Sequence, residues 1–135
     1  MNRSELRKKI MTILYQINIY DNNKIDYNLE DVIKDVVDID NEFVKEIVYG
    51  TVTYKEQLKS IANNYLSGWT IDRLGNTDQA ILLMGIYEML YTDTPAKVVI
   101  NEALNLAKDY SDEKVKNMIN ATLDKVYHER ILNEQ

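Results

Sequence analysis

The sequence contains no cysteine, one histidine, one proline and four glycines in 135 residues. The lack of cysteine excludes disulfides, thiolate metal sites and cysteine nucleophiles, and it favours a cytoplasmic location. The single histidine, His128, lies near the end of the last predicted helix and is most simply a surface residue. No apolar run approaches the roughly 20 residues that span a bilayer, and the charged start of the chain does not resemble a signal peptide. We therefore expect a cytoplasmic protein without a metal, a cofactor or a membrane segment.

The charges that are present are unevenly distributed. The formal net charge is −6, which argues weakly against nucleic acid as a partner, but residues 1–10 hold four basic residues and one acid. Residues 26–46, in contrast, hold eight acids and two lysines. This asymmetry indicates a local basic site on an otherwise acidic, solubilising surface. A hydrophobic content of 45% in a chain of this length is enough for one core, so we expect a single domain.

Residues 76–91 are the centre of the predicted fold. The run from Ala80 to Tyr91 places apolar residues on every side of a helix, which is typical of a buried helix. Gly85 indicates that a neighbouring helix crosses closely, since glycine costs about 1 kcal/mol relative to alanine inside a helix. Glu88 is interpreted as a buried, hydrogen-bonded anchor rather than a catalytic acid, because a buried charge must be paired. The rest of the chain should surround this helix.

The first predicted helix, over residues 2–20, has two distinct faces. Its apolar stripe consists of Leu6, Ile10, Ile13, Leu14, Ile17 and Tyr20. On the opposite side, Tyr15 projects within about 20° of Lys8 on the helical wheel. An aromatic ring beside a cation, away from the core, is typical of a surface that stacks an unpaired base and neutralises its phosphate. The alternative is an ordinary amphipathic surface helix whose tyrosine packs on a lysine stem.

Capping and turn signals divide the next part of the chain. Asn28 predicts the start of a short second helix, and Asp40 predicts the start of a long third helix that ends at residues 67–68. Gly50, in the middle of that long helix, indicates a second close crossing. Trp69 begins a short connector and is expected to fill the joint between the two halves of the chain.

The last third of the chain predicts two more helices. Thr94 followed by Pro95 is a helix start signal, with the threonine as cap and the proline at the first helical position. Ser111 is the predicted cap of the last helix. The helix between them is expected to bury Val99, Ala103, Leu106, Ala107 and Tyr110. No strand-like alternation occurs, so the sequence predicts an all-α protein of about six or seven helices. We expect two small helical subdomains, residues 1–68 and 69–135, around the buried central helix.

Three segments of the sequence resemble the NusB family of bacterial transcription antitermination factors. They are the central run with Tyr87-Glu88, the segment Pro95-Ala-Lys-Val-Val-Ile-Asn-Glu-Ala-Leu-Asn-Leu-Ala-Lys108, and Asn120-Ala-Thr-Leu-Asp124. Arg7 and the segment Leu14-Tyr15-Gln16 are similar to the N-terminal pattern of the same family. The resemblance covers nearly the whole chain. It implies a fold of two helical subdomains and an RNA-binding factor rather than an enzyme.

The resemblance also implies partners and site residues. The partners would be the single-stranded boxA element of nascent RNA, a small-subunit ribosomal protein called NusE in this role, and the RNA polymerase elongation complex with other Nus factors. Transcription of ribosomal RNA operons would be the process supported. The implied RNA-binding residues are Arg3, Arg7, Lys8, Tyr15 and Asp78. For the ribosomal protein, the exposed face of the helix that follows Pro95 and the start of the last helix are candidates, with residues Lys97, Asn101, Lys108 and Lys114.

The sequence departs from the family pattern in ways that bear on RNA affinity. Leu83 stands where the family typically has an arginine, Ala121 replaces a glycine, and Glu5 reduces the basic charge of the first helix. These changes favour weaker RNA binding and greater reliance on the ribosomal protein. One alternative is therefore a protein-interaction adaptor with little RNA recognition of its own. A second is a relative of the NusB-like domain of ribosomal-RNA cytosine methyltransferases, although this chain has no cysteine nucleophile. Exposed apolar residues beside the cations of the first helix would also suit a homodimer.

Overall fold

A computed structural model describes residues 1–133 of the chain and shows an all-α fold over that range. It contains seven α-helices, with bounds α1 Arg3–Asn22, α2 Leu29–Val36, α3 Glu42–Thr53, α4 Lys55–Tyr65, α5 Asn76–Tyr91, α6 Ala96–Tyr110 and α7 Glu113–Val126. A 3₁₀ turn, Ile71–Arg73, precedes α5, and a π-helical segment, Tyr127–Leu132, follows α7. The predicted fold class is confirmed.

The central helix α5 has the predicted bounds and the predicted burial. Every residue from Gln79 to Met89 is buried, and α1, α3, α4, α6 and α7 all pack against α5. A Cβ placed on Gly85 would lie 3.4 Å from Leu123 Cδ2 and 3.9 Å from Val99 Cγ1, so α7 and α6 cross over the glycine at van der Waals distance. The apolar stripe of α1 also lies in the core as predicted, apart from the half-buried Tyr20. One hydrophobic cluster includes residues from both halves of the chain.

The predicted long third helix is instead two helices, α3 and α4. They meet at Tyr54, whose backbone (φ −101°, ψ 21°) departs from helical values. The ring of Tyr54 stacks on that of Tyr91 with the centroids 5.1 Å apart, and the bend lets α4 follow α5 and reach α7. The cap of α3 is Asn41, which accepts a hydrogen bond from the Val44 N–H, and not Asp40, which pairs with the Lys45 ammonium instead.

The starts of α6 and α7 each differ from the prediction by one residue. Pro95 has extended backbone and occupies the cap position of α6, so Thr94 lies outside the helix. Asp112 caps α7 by accepting a hydrogen bond from the Val115 N–H. Ser111 is therefore not the cap, and its hydroxyl donates to a carboxylate on α5. Each residue that takes the cap position suits a helix start. The ring of Pro95 fixes its φ, and aspartate is as favourable a capping residue as serine.

Tyr110 and Trp69 are less buried than predicted. Tyr110 is the last residue of α6, where the helix extends past the edge of the core, and 42% of it is exposed. Trp69 is half-buried, with Arg73 Cζ 4.5 Å and Lys114 Nζ 5.0 Å from its ring centroid. Trp69 therefore packs against the core with one side and against two cations with another, rather than filling the joint completely.

Candidate nucleic-acid interface

The exposed face of α1 carries the two residues that the sequence placed side by side. Lys8 is exposed, and Tyr15 is 39% exposed, two turns further along the helix. Helix α1 presents them outward because its opposite side holds the buried stripe that packs on α5. Asn2 fixes the start of the helix by accepting a hydrogen bond from the Glu5 N–H. The face therefore rests on a long, capped helix whose other side is anchored in the core.

Tyr110, at the end of α6, adds a second exposed ring to this face. The Lys8 ammonium lies 5.7 Å from the centroid of the Tyr110 ring. Hydrogen bonding to the Tyr110 hydroxyl, and then the charge of that group once it ionises, raise the pKa of Lys8 above its ordinary value. Sequence reasoning missed Tyr110 because its position continues the buried stripe of α6. The signal that could have revealed it is its place as the last residue before the helix cap.

Asp78 lies next to the same end of α6. It belongs to the first turn of α5, and its Oδ1 accepts a hydrogen bond from the hydroxyl of Ser111, the residue that follows Tyr110. Asp78 is half-buried. We call the surface formed by Lys8, Tyr15, Asp78 and Tyr110 the α1–α6 face. It combines one cation, two aromatic rings and one carboxylate, which are groups that neutralise phosphate, stack bases and accept from base amino groups.

Arg7 is not part of the α1–α6 face. It is only 4% exposed, and its guanidinium donates to Glu88, with Nε 2.9 Å from Oε1 and Nη2 2.5 Å from Oε2. Burial disfavours the charged guanidinium, but the hydrogen bonds and charge of Glu88, with help from Glu102, outweigh burial and raise the pKa of Arg7. Arg7 therefore holds α1 to α5 and has no free donor surface for phosphate. The interpretation of Glu88 as a buried, paired anchor is confirmed.

Arg3 points to a different side of the molecule. Its guanidinium carbon lies 4.3 Å from the centroid of the Phe43 ring on α3. On the helical wheel Arg3 and Lys8 are about 140° apart, so both cannot face the same ligand surface. Of the four RNA-binding residues expected on α1, the structure brings together only Lys8 and Tyr15.

The residues expected to bind the ribosomal protein fall into two groups. Lys97, Asn101 and Lys108 are exposed on one side of α6. Lys114 belongs to the first turns of α7, where it lies against Trp69 instead of continuing that side of α6.

Among residues 1–133, no group of three or more histidine, aspartate or glutamate side chains is arranged to hold a metal ion. None of the helices in this range combines the length and the apolar character needed to cross a membrane.

Comparison with known proteins identifies relatives in both sequence and fold. A model of the NusB family matches residues 4–128. The transcription antitermination protein NusB of Halalkalibacterium halodurans is 40% identical over 129 residues, which are 93% of this chain and 92% of that protein. The T. maritima NusB structure superimposes with a TM-score of 0.83 at 25% identity, covering 99% of this chain and 96% of that chain.

A complex of known structure gives a further match. It is a crystal structure of the antitermination factors NusB and NusE with double-stranded RNA, in which one chain matches with a TM-score of 0.75 at 29% identity. The match covers 95% of this chain and 98% of that chain. The NusB of Macrococcus caseolyticus, 35% identical over 128 residues that are 93% of this chain and 96% of that protein, is likewise a transcription antitermination protein rather than an enzyme. On the strength of the family model and the identity across nearly its whole length, the chain belongs to the NusB family.

Proposed function

We propose that this protein is a transcription antitermination factor that binds single-stranded boxA RNA through the α1–α6 face, jointly with the ribosomal protein NusE. The observation that carries the proposal is the exposed group of Lys8, Tyr15 and Tyr110, presented by two helices of a NusB fold. Membership of the family supports the general function, and the known complex of NusB and NusE with double-stranded RNA supports NusE and RNA as partners.

Each group on the face has a defined part in the proposed recognition. Tyr15 and Tyr110 stack unpaired bases, and base stacking on an aromatic ring contributes about 1–3 kcal/mol per base. Lys8 neutralises one phosphate between them. Asp78 accepts a hydrogen bond from a base amino group with the oxygen that Ser111 does not occupy. Bound in this way, the protein presents boxA and NusE to the elongating polymerase and its other Nus factors, and it lowers termination in ribosomal RNA operons.

The test is a fluorescence-anisotropy titration of a short labelled boxA RNA and a scrambled RNA of the same composition. We expect the wild type to prefer boxA, NusE to tighten the binding, and Tyr15→Ala to weaken it by about 5- to 150-fold, the equivalent of one lost stacked base. Ile39→Ala is the control, because it removes apolar surface at a position that is 79% exposed and lies in the loop before α3, away from the α1–α6 face. Lys8→Gln should lower the slope of log K against log salt by about 1.

Two results would count against the proposal. If neither RNA is preferred, with or without NusE, the protein acts as an interaction adaptor and has no RNA recognition of its own. If Tyr15→Ala and Ile39→Ala weaken binding equally, RNA is bound elsewhere than on the α1–α6 face. Sedimentation at two protein concentrations, with and without RNA, tests whether a homodimer covers this face in the free protein.

A further inference from the structure

The first turn of α5 is held in place by amide side chains. From α1, Asn18 Nδ2 donates to the backbone carbonyl of Asn76 at 3.1 Å, and Asn22 Nδ2 donates to Asn76 Oδ1 at 3.0 Å. Gln79 is buried, and its Nε2 donates to a backbone carbonyl just before the helix at 2.9 Å. Asp78 lies between these two anchored residues. Its backbone is therefore fixed, and the freedom that remains to it is the orientation of its carboxylate.

Ser111 fixes that orientation. Its hydroxyl donates to Asp78 Oδ1, and both residues are half-buried. The backbone of Ser111 is anchored in turn, because its N–H closes the end of α6 by donating to the Ala107 carbonyl at 2.8 Å. The second oxygen of Asp78, Oδ2, is turned towards the exposed Gly75, where an added Cβ would lie 3.2 Å from it. One carboxylate oxygen is thus engaged inside the protein, and the other lies beside an exposed position of the backbone.

The number of available acceptor oxygens decides which bases a carboxylate suits. An ionised carboxylate only accepts hydrogen bonds. Guanine presents two donors side by side on its Watson–Crick edge, N1–H and the N2 amino group, and these match a carboxylate with both oxygens available. Adenine and cytosine each present one amino group beside a ring nitrogen that is itself an acceptor, and they match a single oxygen. A carboxylate with one available oxygen therefore disfavours guanine, because the second guanine donor loses water without gaining a partner.

We propose that Ser111 is a positioning residue of the α1–α6 face, which leaves Asp78 with Oδ2 as its one available acceptor and so selects adenine or cytosine over guanine at one position of the bound RNA. The inference deepens the proposed function and rests on it. Tyr110 immediately precedes Ser111, so the base that stacks on the Tyr110 ring is the base that Asp78 reads. Ser111 itself acts through Asp78 and not through contact with the RNA.

The experiment measures the affinity of the full-length protein for labelled boxA RNAs by fluorescence anisotropy, with NusE present. In each RNA, one adenosine or cytidine is replaced by guanosine, and the guanosine penalty is the ratio of the dissociation constants of the replaced and the original RNA. The position read by Asp78 is the one at which Asp78→Ala lowers the penalty. That variant lowers it by binding the original RNA more weakly, because it has lost the acceptor altogether.

Three further variants separate positioning from a general structural effect. Ser111→Ala removes the hydroxyl and Ser111→Thr keeps it, and the extended backbone of Ser111 (φ −124°, ψ 157°) suits both substitutions. Gly75→Ala adds a Cβ beside the available oxygen, and the backbone of Gly75 (φ −64°, ψ 161°) permits it. Ser60→Ala is the matched control, because it removes the hydroxyl of an exposed serine on α4.

At the position read by Asp78, we expect a guanosine penalty of about tenfold in the wild type, Ser111→Thr and Ser60→Ala. In Ser111→Ala the penalty should fall to about twofold, because the guanosine RNA binds about fivefold more tightly than it binds the wild type. A merely structural role of Ser111 would weaken both RNAs and would tighten neither. Gly75→Ala should weaken binding of the original RNA about threefold, since the added methyl group crowds Oδ2.

Several outcomes would overturn the inference. One is an equal guanosine penalty in the wild type and Ser111→Ala, and another is a loss of affinity in Ser111→Ala that is the same for both RNAs. If Asp78→Ala changes the penalty at no position, Asp78 does not read a base, and the proposed function still stands on the Tyr15 test. If the wild type does not prefer boxA to the scrambled RNA, the proposed function fails, and the role of Ser111 fails with it.

Discussion

The ion pair between Arg7 and Glu88 should contribute more to stability than any surface contact. Both side chains are buried, at 4% and 2% exposure, and two hydrogen bonds join them. Hydrogen bonds to charged groups contribute about 1.5–3 kcal/mol each, and breaking a buried pair by removing one partner costs about 3–5 kcal/mol. We therefore expect Arg7→Met to lower the free energy of unfolding by about 3–5 kcal/mol. That loss is a large fraction of the roughly 5–15 kcal/mol that stabilises a domain of this size.

The assay is urea unfolding followed by circular dichroism at 222 nm, with the slope against urea checked for constancy. Lys8→Met is the matched control, because it also replaces a cation by methionine, at the next residue of α1, where the side chain is exposed. This variant should change the free energy of unfolding by less than about 0.5 kcal/mol. The double variant Arg7→Met and Glu88→Leu should lose much less than the sum of the two single losses, since neither charge is left unpaired in the core. A loss below about 1 kcal/mol for Arg7→Met, or simple additivity in the double variant, would refute the reasoning.

Three other predictions concern stability. Gly50→Ala should destabilise the fold by about 1–3 kcal/mol, because its Cβ would lie 2.0 Å from the Tyr87 ring. Gly85→Ala should be neutral or stabilising by up to about 1 kcal/mol, because its Cβ would lie at van der Waals distance, 3.4 Å, from Leu123. Asp112→Ala should cost about 1 kcal/mol through loss of the α7 cap. Burial raises the pKa of Tyr87 in the folded protein. The stability that the neutral hydroxyl contributes is therefore fully present below the unfolded pKa of about 10, and it is lost as the pH rises through the folded pKa. Thermal or urea unfolding checks all three, and Tyr87→Phe should reduce the alkaline loss.

Clear outcomes would contradict these expectations. Equal losses for the two glycine substitutions would mean that the spacing over Gly50 and Gly85 does not control their tolerance. If Asp112→Ala leaves the stability unchanged, the side chain of Asp112 does not stabilise the start of α7. An alkaline loss that is the same in wild type and Tyr87→Phe would assign the effect to other groups.

The fold was predictable because its main signal is local. The run around Ile81 and Met84 is apolar on every side, and only a buried helix satisfies such a pattern, so α5 was predicted with its observed bounds. The single long helix over α3 and α4 was wrong for a different reason. The spacing of apolar residues continues through Tyr54, and the bend there depends on stacking with Tyr91, which is 37 residues away in the sequence. A contact of that range leaves no mark on the local periodicity.

The candidate site was predictable only in part, for the same physical reason. Lys8 and Tyr15 lie on one helix, so their common direction follows from helix geometry alone. Arg7 is next to Lys8 in the sequence, but it is buried because it pairs with Glu88, 81 residues away. The sequence showed that Glu88 needs a partner, but it did not show which residue that partner is. Tyr110 was assigned to the core because the sequence could not show that the core ends one turn before α6 does.

The distribution of the N-terminal cations bears directly on how the proposed RNA binding must work. Arg7 is buried and paired with Glu88, and Arg3 lies on the Phe43 ring. The Lys9 ammonium donates to the backbone carbonyl of Val36 at 3.3 Å. Lys8 is thus the cation of residues 1–10 that remains on the α1–α6 face. Each neutralised phosphate adds roughly one unit to the salt slope of binding, so binding by the protein alone should have a shallow slope and modest affinity. Base stacking then supplies most of the specificity, and tight binding requires the additional contacts of the proposed partner NusE.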